Sequence, residues 1–307
     1  MQAYVLRRLS SALPTLFVII TISFFLIRLA PGGPFNLEKP LEAKVMENLN
    51  RIYKLDRSLI EQYGLYLAAL ARGDLGPSFY HRDFTVAELL GKGLEVSVRL
   101  GLAALLLALA SGLALGTYAA LNQNRTADYA VSGLATLGLT IPSFVTAPLL
   151  QIVLGLGLAW LPVAGWNDGA WRNMVLPVVV LALPQIAVIA RLTRAAMIET
   201  LRAPHIRTLH ALGLPQRTVL ARAMRSAALP VISYLGPAAA GLLTGSVVVE
   251  TIFGLPGVGR YFVEGALNRD YTLVMGTVVL VGVFVIVFNL LVDVAYAALD
   301  PRVRADT

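Results

Sequence analysis

Long apolar runs separated by short polar segments dominate the pattern of this chain. An α-helix needs about 20 mostly apolar residues to cross a bilayer. Six stretches meet that condition, at approximately residues 9–30, 97–120, 129–159, 175–195, 231–252 and 273–297. The pattern therefore predicts an all-α, polytopic membrane protein with six transmembrane helices.

The third apolar stretch is longer than one crossing requires. We expect a break at Pro142 or Pro148, because proline removes a backbone donor from the helix. Pro142 and Ser143 are interpreted mainly as a bend in this span, with the lining of a pore as the alternative.

The first apolar run follows Arg7 and Arg8, as the apolar part of a signal peptide would. The run continues to Leu29, which is too long for a signal peptide, and Ala30-Pro31-Gly32 makes a poor cleavage site. Residues 1–30 are therefore interpreted as a retained N-terminal transmembrane helix.

The remaining chain divides into an external loop, a membrane core and a short tail. In the loop, residues 31–96, apolar residues recur at helical spacing between Leu41 and Ala71 and predict one or two amphipathic helices. Residues 97–300 are predicted to form a core of five transmembrane helices, and residues 301–307 a cytoplasmic tail.

Two glycines in the second apolar run predict close packing between helices. Gly112 and Gly116 are separated by three residues and are surrounded by alanines and other small residues. This spacing lets two helix backbones approach each other within a membrane.

The arginines predict the orientation in the membrane. Three lie on one side, at Arg172, Arg260 and Arg269. Twelve lie on the other side, at Arg7, Arg8, Arg125, Arg191, Arg194, Arg202, Arg207, Arg217, Arg222, Arg225, Arg302 and Arg304. Loops rich in arginine stay in the cytoplasm, so both termini are expected there. The net charge of +7 is explained in the same way, and nucleic-acid binding is not expected.

The composition argues against an enzyme. Hydrophobic residues make up 57% of the chain and charged residues 14%, well below the quarter or so that is usual in soluble domains. There is no cysteine, and the three histidines, His81, His205 and His210, lie in predicted loops, away from any nucleophile in a span. No HExxH pair and no GxxxxGK[ST] phosphate loop is present. We expect neither catalysis nor a metal or cofactor in this chain.

Two acidic residues near the ends of predicted spans are candidate functional residues, since acids inside a membrane are costly. Glu250 either holds the turn Phe253–Gly259 through hydrogen bonds or contacts a gate or a substrate amine. Asp293 either pairs with an arginine of a cytoplasmic loop or contacts substrate.

The cytoplasmic segment 196–230 is the most informative part of the chain. Gly213 is predicted to end a short helix, and a second helix with several arginines follows it. From these residues alone, a basic loop that faces lipid headgroups is an equally good interpretation.

The same segment resembles the signature of importer-type ABC transporter permeases, EAA-xxx-G followed by leucine and proline. In this sequence it reads Arg207-Thr208-Leu209, three further residues and Gly213, with Leu229-Pro230 downstream. Arg207 replaces the glutamate and Leu209 the second alanine. An arginine–threonine start is usual in the peptide/nickel branch of the family, whereas Leu209 is less typical of it.

Further stretches resemble the oligopeptide and dipeptide permeases of that branch, in order and over nearly the whole chain. They are Arg28-Leu29-Ala30-Pro31-Gly32, Gly73-Asp74-Leu75-Gly76 with Ser78-Phe79, Ile141-Pro142-Ser143-Phe144, the run from Glu250 to Gly259, Asn268-Arg269-Asp270-Tyr271, and Asp293 leading to Asp300-Pro301-Arg302. The loop Ala164-Gly165-Trp166-Asn167 resembles the first permease subunit of oligopeptide systems.

The resemblance implies a type I ABC importer permease with the MetI-like fold, in a bacterial inner membrane. It implies a partner permease that is homologous but distinct, two cytoplasmic ATPase subunits that bind ATP and Mg, and an external peptide-binding protein. The family's coupling helix, which docks on the ATPase, maps onto Arg207, Thr208, Ala211, Gly213 and Leu214. Peptides are the expected cargo, with nickel chelates and glutathione as alternatives within the branch. A channel that works without an ATPase is a further alternative, but it would leave the arginine-rich segment unexplained.

Overall fold

The computed structural model describes residues 2–30, 33–34, 43–81 and 83–299, which are helical apart from short connections and one isolated bridge between Pro77 and Thr85. The α-helices are α1 Gln2–Leu29, α2 Ala43–Ile52, α3 Leu59–Leu70, α4 Val86–Leu121, α5 Thr126–Thr140, α6 Ser143–Leu150, α7 Trp171–Leu201, α8 Pro204–Ala211, α9 Gln216–Phe253, α10 Val258–Leu267 and α11 Tyr271–Leu299. The predicted all-α class is confirmed, and α2 and α3 are the helices expected between residues 41 and 71.

Four of these helices, α1, α4, α7 and α11, are long and apolar enough to cross a membrane. Two more stretches reach that length only as bent pairs. One consists of Thr126–Thr140 with Ser143–Gly157, bent by 103°, and the other is α9, whose two parts meet at 43°.

The long helices extend well beyond the apolar runs that predict them. α4 begins at Val86 instead of near residue 97, because Thr85 and Glu88 form a capping box that starts the helix in polar sequence. α9 begins at Gln216 and continues without interruption through the arginine-rich segment. Helical hydrogen bonding does not require apolar residues, so hydropathy marks only the central part of such a helix.

The break in the third span lies at Pro142, one of the two positions predicted. α5 ends at Thr140, and Pro142 takes an extended conformation before α6 begins. Its carbonyl oxygen accepts hydrogen bonds from the amide of Val145 at 3.0 Å and the hydroxyl of Thr146 at 3.2 Å. Pro148 lies inside α6 without ending it, and the helix continues as a wider, π-helical turn over Gln151–Gly157.

α4 and α7 pack closely at the two glycines that predict such a contact. A Cβ atom on Gly112 would lie 2.6 Å from Cγ2 of Ile189, and one on Gly116 would lie 2.5 Å from the carbonyl oxygen of Ala190. Real Cβ atoms do not approach other atoms this closely. The two backbones therefore meet only because neither position has a side chain.

A buried ion pair ties α5 to α7. Asp128, at the start of α5, accepts from Nε of Arg194 at 2.5 Å and from Nη2 at 2.7 Å, and it also accepts from the amide of Asn124 at 2.9 Å. The Asp128 side chain is buried, while that of Arg194 is partly exposed. A bidentate pair of this kind fixes the orientation of both helices.

Replacing Arg194 with methionine is expected to destabilise the protein by about 2–3 kcal/mol, because the buried Asp128 carboxylate then loses its partner. Thermal unfolding in detergent would measure the effect. Adding Asp128→Asn to this variant should restore part of the loss. Arg191→Met, on the same helix but exposed and without an ion pair among the described residues, serves as the control. Equal stability of the two single arginine variants would contradict the assigned role of the pair.

Candidate functional site

α8 is a short helix held between the end of α7 and the start of α9. Pro204 occupies its first turn, where a missing amide hydrogen has no cost. At its other end Gly213 has a φ of +69°, which favours glycine. The amide of Gly213 donates to the carbonyl of His210 at 3.0 Å, and that of Leu214 donates to Leu209 at 3.3 Å. This pair of bonds is a Schellman motif, which ends the helix in a fixed geometry.

The inner face of α8 is locked into the body of the protein. Ile206 and Leu209 are buried. They belong to a group that we call the cytoplasmic cluster, formed by Ala120, Met197, Ile206, Leu209, Val219, Ala223 and Ala227. Because these residues come from α4, α7, α8 and α9, the short helix cannot shift without moving the ends of three long ones.

The outer face of α8 is exposed. Of the five residues predicted to dock on an ATPase, Arg207, Thr208, Ala211 and Gly213 are exposed. Leu214 instead turns inward, is half-buried and packs against the cytoplasmic cluster.

Leu212, which sequence reasoning did not single out, is 70% exposed at the tip of α8. It lies beyond the apolar spans, where lipid does not explain an exposed leucine. A Schellman motif at Gly213 could have predicted this exposure. In such a motif the residue after the glycine points inward, against the last turn of the helix. The residue before the glycine is then free to point outward.

Exposed arginines lie on α8 and in the first three turns of α9. Within the part of the chain that the structure describes, four of them on α8 and α9 form no ion pair: Arg207, Arg217, Arg222 and Arg225. An exposed leucine among unpaired cations suits contact with an acidic protein surface.

A second candidate site, which we call the external latch, joins α4, α9 and α10 through Glu250. This side chain is fully buried. It accepts hydrogen bonds from the hydroxyl of Ser97 at 2.6 Å and from the amides of Gly259 at 2.8 Å and Arg260 at 3.3 Å. The hydroxyl of Ser97 in turn accepts from the amide of Val258 at 2.9 Å. The carboxylate thus satisfies the free amides at the start of α10, where a negative charge is favourable.

The glycines of this turn make room for the carboxylate. A Cβ atom on Gly257 would overlap the carboxyl group of Glu250, and one on Gly259 would overlap the backbone of Val247. Glu250 therefore lies on the turn that sequence analysis connected with it, in the geometry that the hydrogen-bonding alternative requires. The other predicted acid, Asp293, lies on α11, and its side chain is outside the described residues.

A groove of about 500 Å³ opens between α4, α7 and the break in the third span. Ser143 lines it, together with Ser111, Ile141 and Thr146. Pro142 forms the bend next to it and is exposed. The groove is mostly apolar, with a few hydroxyl groups on its wall.

Asp270 is a structural residue that sequence reasoning did not assign. It is fully buried and accepts from the hydroxyl of Ser78, from the amide of Tyr80 at 3.1 Å and from the amide of Leu273 at 3.0 Å. It therefore caps α11 and ties the external loop to it. An aspartate immediately before a long apolar run is a recognisable helix start, so the capping role of Asp270 was predictable. Its contact with Ser78 was not, because the two residues are 192 positions apart.

With this geometry established, the chain can be placed among known proteins. Residues 112–305 match the family described as binding-protein-dependent transport system inner membrane component. The chain belongs to this family of inner-membrane transport components, and its described part has the helical architecture expected of a MetI-like permease.

Relatives match along their whole length. The oligopeptide transport system permease protein OppB of Salmonella typhimurium is 52% identical over 305 residues, covering 99% of this chain and 100% of the relative. OppB of Haemophilus influenzae is 48% identical with the same coverage. The dipeptide transport system permease protein DppB of Bacillus subtilis is 43% identical, covering 99% of this chain and 98% of the relative.

Disrupting the external latch should loosen the start of α10. In Ser97→Ala, Glu250 loses a donor and the amide of Val258 loses its acceptor, so amide hydrogen exchange at residues 255–262 is expected to rise by about tenfold or more. Gly257→Ala should have the same effect by displacing the carboxylate. Thr251→Ala is the matched control, since the exposed Thr251 hydroxyl bonds only within α9. Unchanged exchange in both latch variants would contradict the assigned role of Glu250.

Proposed function

We propose that this chain is a permease subunit of an ATP-binding-cassette importer and forms half of a translocation pathway for peptides. The observation that carries the proposal is the geometry of α8, with an immobilised inner face, a rigid end at Gly213 and an exposed tip at Leu212. The relatives that match over the whole chain are oligopeptide and dipeptide permeases, which supports peptides as the cargo.

The proposed arrangement in the membrane has six crossings. They are α1, α4, the bent pair α5–α6, α7, α9 and α11. The excess of arginine at α8 and around Arg125 supports a cytoplasmic location for these segments, and with six crossings both termini lie on that side as well. α2, α3 and α10 then lie on the external side, where α10 and the external latch face an incoming substrate.

The proposed assembly contains a second, homologous permease, two cytoplasmic ATPase subunits and an external peptide-binding protein. ATP and Mg are bound by the ATPases, since this chain has no phosphate-binding loop of its own. The outer face of α8 supplies the docking contact, through Leu212, Arg207, Thr208, Ala211 and Gly213. Leu214 contributes from the inside, by holding the end of α8 in place.

The proposed mechanism is alternating access. When the ATPases close, they displace α8, and the cytoplasmic cluster passes this displacement to α7 and α9. α7 borders the groove next to Ser143, and α9 ends at the external latch, so both faces of the pathway respond to one movement. Such coupling requires that the ATPase contacts α8 differently in two states.

Substituting Gly213 tests the docking geometry by changing the backbone conformation at the end of α8. Its φ of +69° suits glycine and is tolerated by asparagine, whereas a β-branched residue is strained there. Gly213→Val should leave the protein inserted in the membrane but abolish peptide uptake and the stimulation of ATPase activity. Gly213→Asn, the control, should retain most of both, because nothing lies within 4 Å of the added Cβ. Full uptake with Gly213→Val would count heavily against the proposal.

Leu212 and Leu214 form a matched pair for separating docking from folding. Leu212→Ser removes an exposed apolar contact, so the ATPase should no longer co-purify while the melting temperature of the isolated permease stays unchanged. Leu214→Ser should instead lower the melting temperature of the isolated permease, since Leu214 packs on the cytoplasmic cluster. If Leu212→Ser retains the ATPase at wild-type levels, the tip of α8 is not the docking contact.

A further inference from the structure

α3 belongs to the predicted external loop, yet it packs against the apolar part of α1. The hydroxyls of Tyr63 and Thr21 lie 2.6 Å apart. The ring of Phe24 lies 5.1 Å from that of Tyr63 and 5.6 Å from that of Tyr66. Thr21 precedes the end of α1, at Leu29, by eight residues, or about 12 Å along the helix. α3 therefore lies alongside the outer part of a spanning helix and not above it.

Contacts with α11 place α3 at the same depth along the spanning helices. Tyr63, Tyr66, Leu67 and Leu70 pack on a buried group that includes Met275. Met275 lies four residues after the start of α11 at Tyr271, about 6 Å along that helix. Contacts with two separate helices thus place α3 deeper than the external ends of those helices.

The outward face of α3 is mostly apolar. Ile60 is 79% exposed and Leu65 is 37% exposed, and Gly64 and Ala68 are exposed between and beyond them. Within α3 only Glu61 is charged; it is exposed on this same side of the helix and pairs with Arg57, which precedes the helix. A helix with this face in water would present a stripe of apolar side chains without a partner.

The exposed side of α1 is also apolar at this depth. On that helix Ile22 is 53% exposed and Leu26 is 65% exposed, at the depth where α3 makes its contacts. Tyr63 and Tyr66 point the other way, onto α1 and α11. Burial raises the pKa of Tyr66 to about 12, so its hydroxyl stays neutral.

We propose that α3 is an interfacial helix whose outward face, at Ile60, Gly64, Leu65 and Ala68, lies in the outer leaflet in contact with lipid. Lipid is the favoured partner because α3 lies beside the apolar helices α1 and α11, because these four residues offer a protein no charge or hydrogen-bonding group, and because Glu61, on the same side, already pairs with Arg57. The inference rests on the membrane placement proposed above. It makes α3 an anchor that fixes the height of the external loop, including Ser78 and its contact with Asp270.

The chain has no cysteine, so single-cysteine spin labels can test this directly. Ile60→Cys and Leu65→Cys would be labelled in the assembled transporter in lipid nanodiscs, with partner subunits lacking reactive cysteines. Collisions with oxygen, which concentrates in lipid, would be compared with collisions with a water-soluble nickel complex. Ile22→Cys provides the lipid reference and Asp56→Cys, in the exposed turn before α3, the water reference.

Labels at residues 60 and 65 are expected to lose most of the nickel broadening seen at residue 56 and to match the oxygen broadening at residue 22. If they resemble residue 56 while residue 22 reports lipid, the interfacial placement of α3 is overturned. If residue 22 itself reports water, the proposed membrane placement fails instead. Shielding of residues 60 and 65 that appears only after the peptide-binding protein or the second permease is added would also overturn the inference, since it would assign the stripe to a protein partner.

Discussion

The packing of α8 against the ends of α4, α7 and α9 is the constraint on which the rest of the structure depends. Ile206 and Leu209 insert into a cluster with Met197 and Val219 and leave the outer face of α8 exposed. Protein interiors are close-packed and transmit displacement instead of absorbing it. An isolated eight-residue helix would be only marginally stable in water, so this cluster makes α8 both stable and mechanically useful.

From α8 the connection to the external side runs through continuous helices. α9 contains Val219 in the cytoplasmic cluster and Glu250 in the external latch, 31 residues apart on one helix, which corresponds to about 47 Å. α7 leaves the same cluster, pairs with Asp128 through Arg194 and meets α4 at the two glycines. In the proposed mechanism, a movement of α8 reaches both the groove at Ser143 and the turn that holds α10.

Local signals predicted the features that depend on a few neighbouring residues. The break at Pro142, the glycine contact at Gly112 and Gly116, and the end of α8 at Gly213 all follow from backbone chemistry within one or two turns. The start of α4 at Val86 was missed by hydropathy, although the capping pair of Thr85 and Glu88 could have revealed it.

Features that depend on distant pairing were not accessible in this way. Ser97 and Glu250 are 153 positions apart, and Ser78 and Asp270 are 192 apart, so no pattern in one sequence connects them. The inward turn of Leu214 and the exposure of Leu212 depend on how α8 is rotated, which apolar spacing over eight residues defines poorly. The side chain of Asp293 lies outside the described residues, and its role is still a prediction.

Reconstitution into proteoliposomes tests the central claim most directly. Uptake of a labelled peptide would be measured with this chain alone and with the complete set of permeases, ATPases and peptide-binding protein, each with and without ATP. The account predicts uptake only by the complete assembly and only with ATP, because it proposes that an ATPase subunit moves α8. Solute movement by the purified chain alone, without nucleotide, would contradict it.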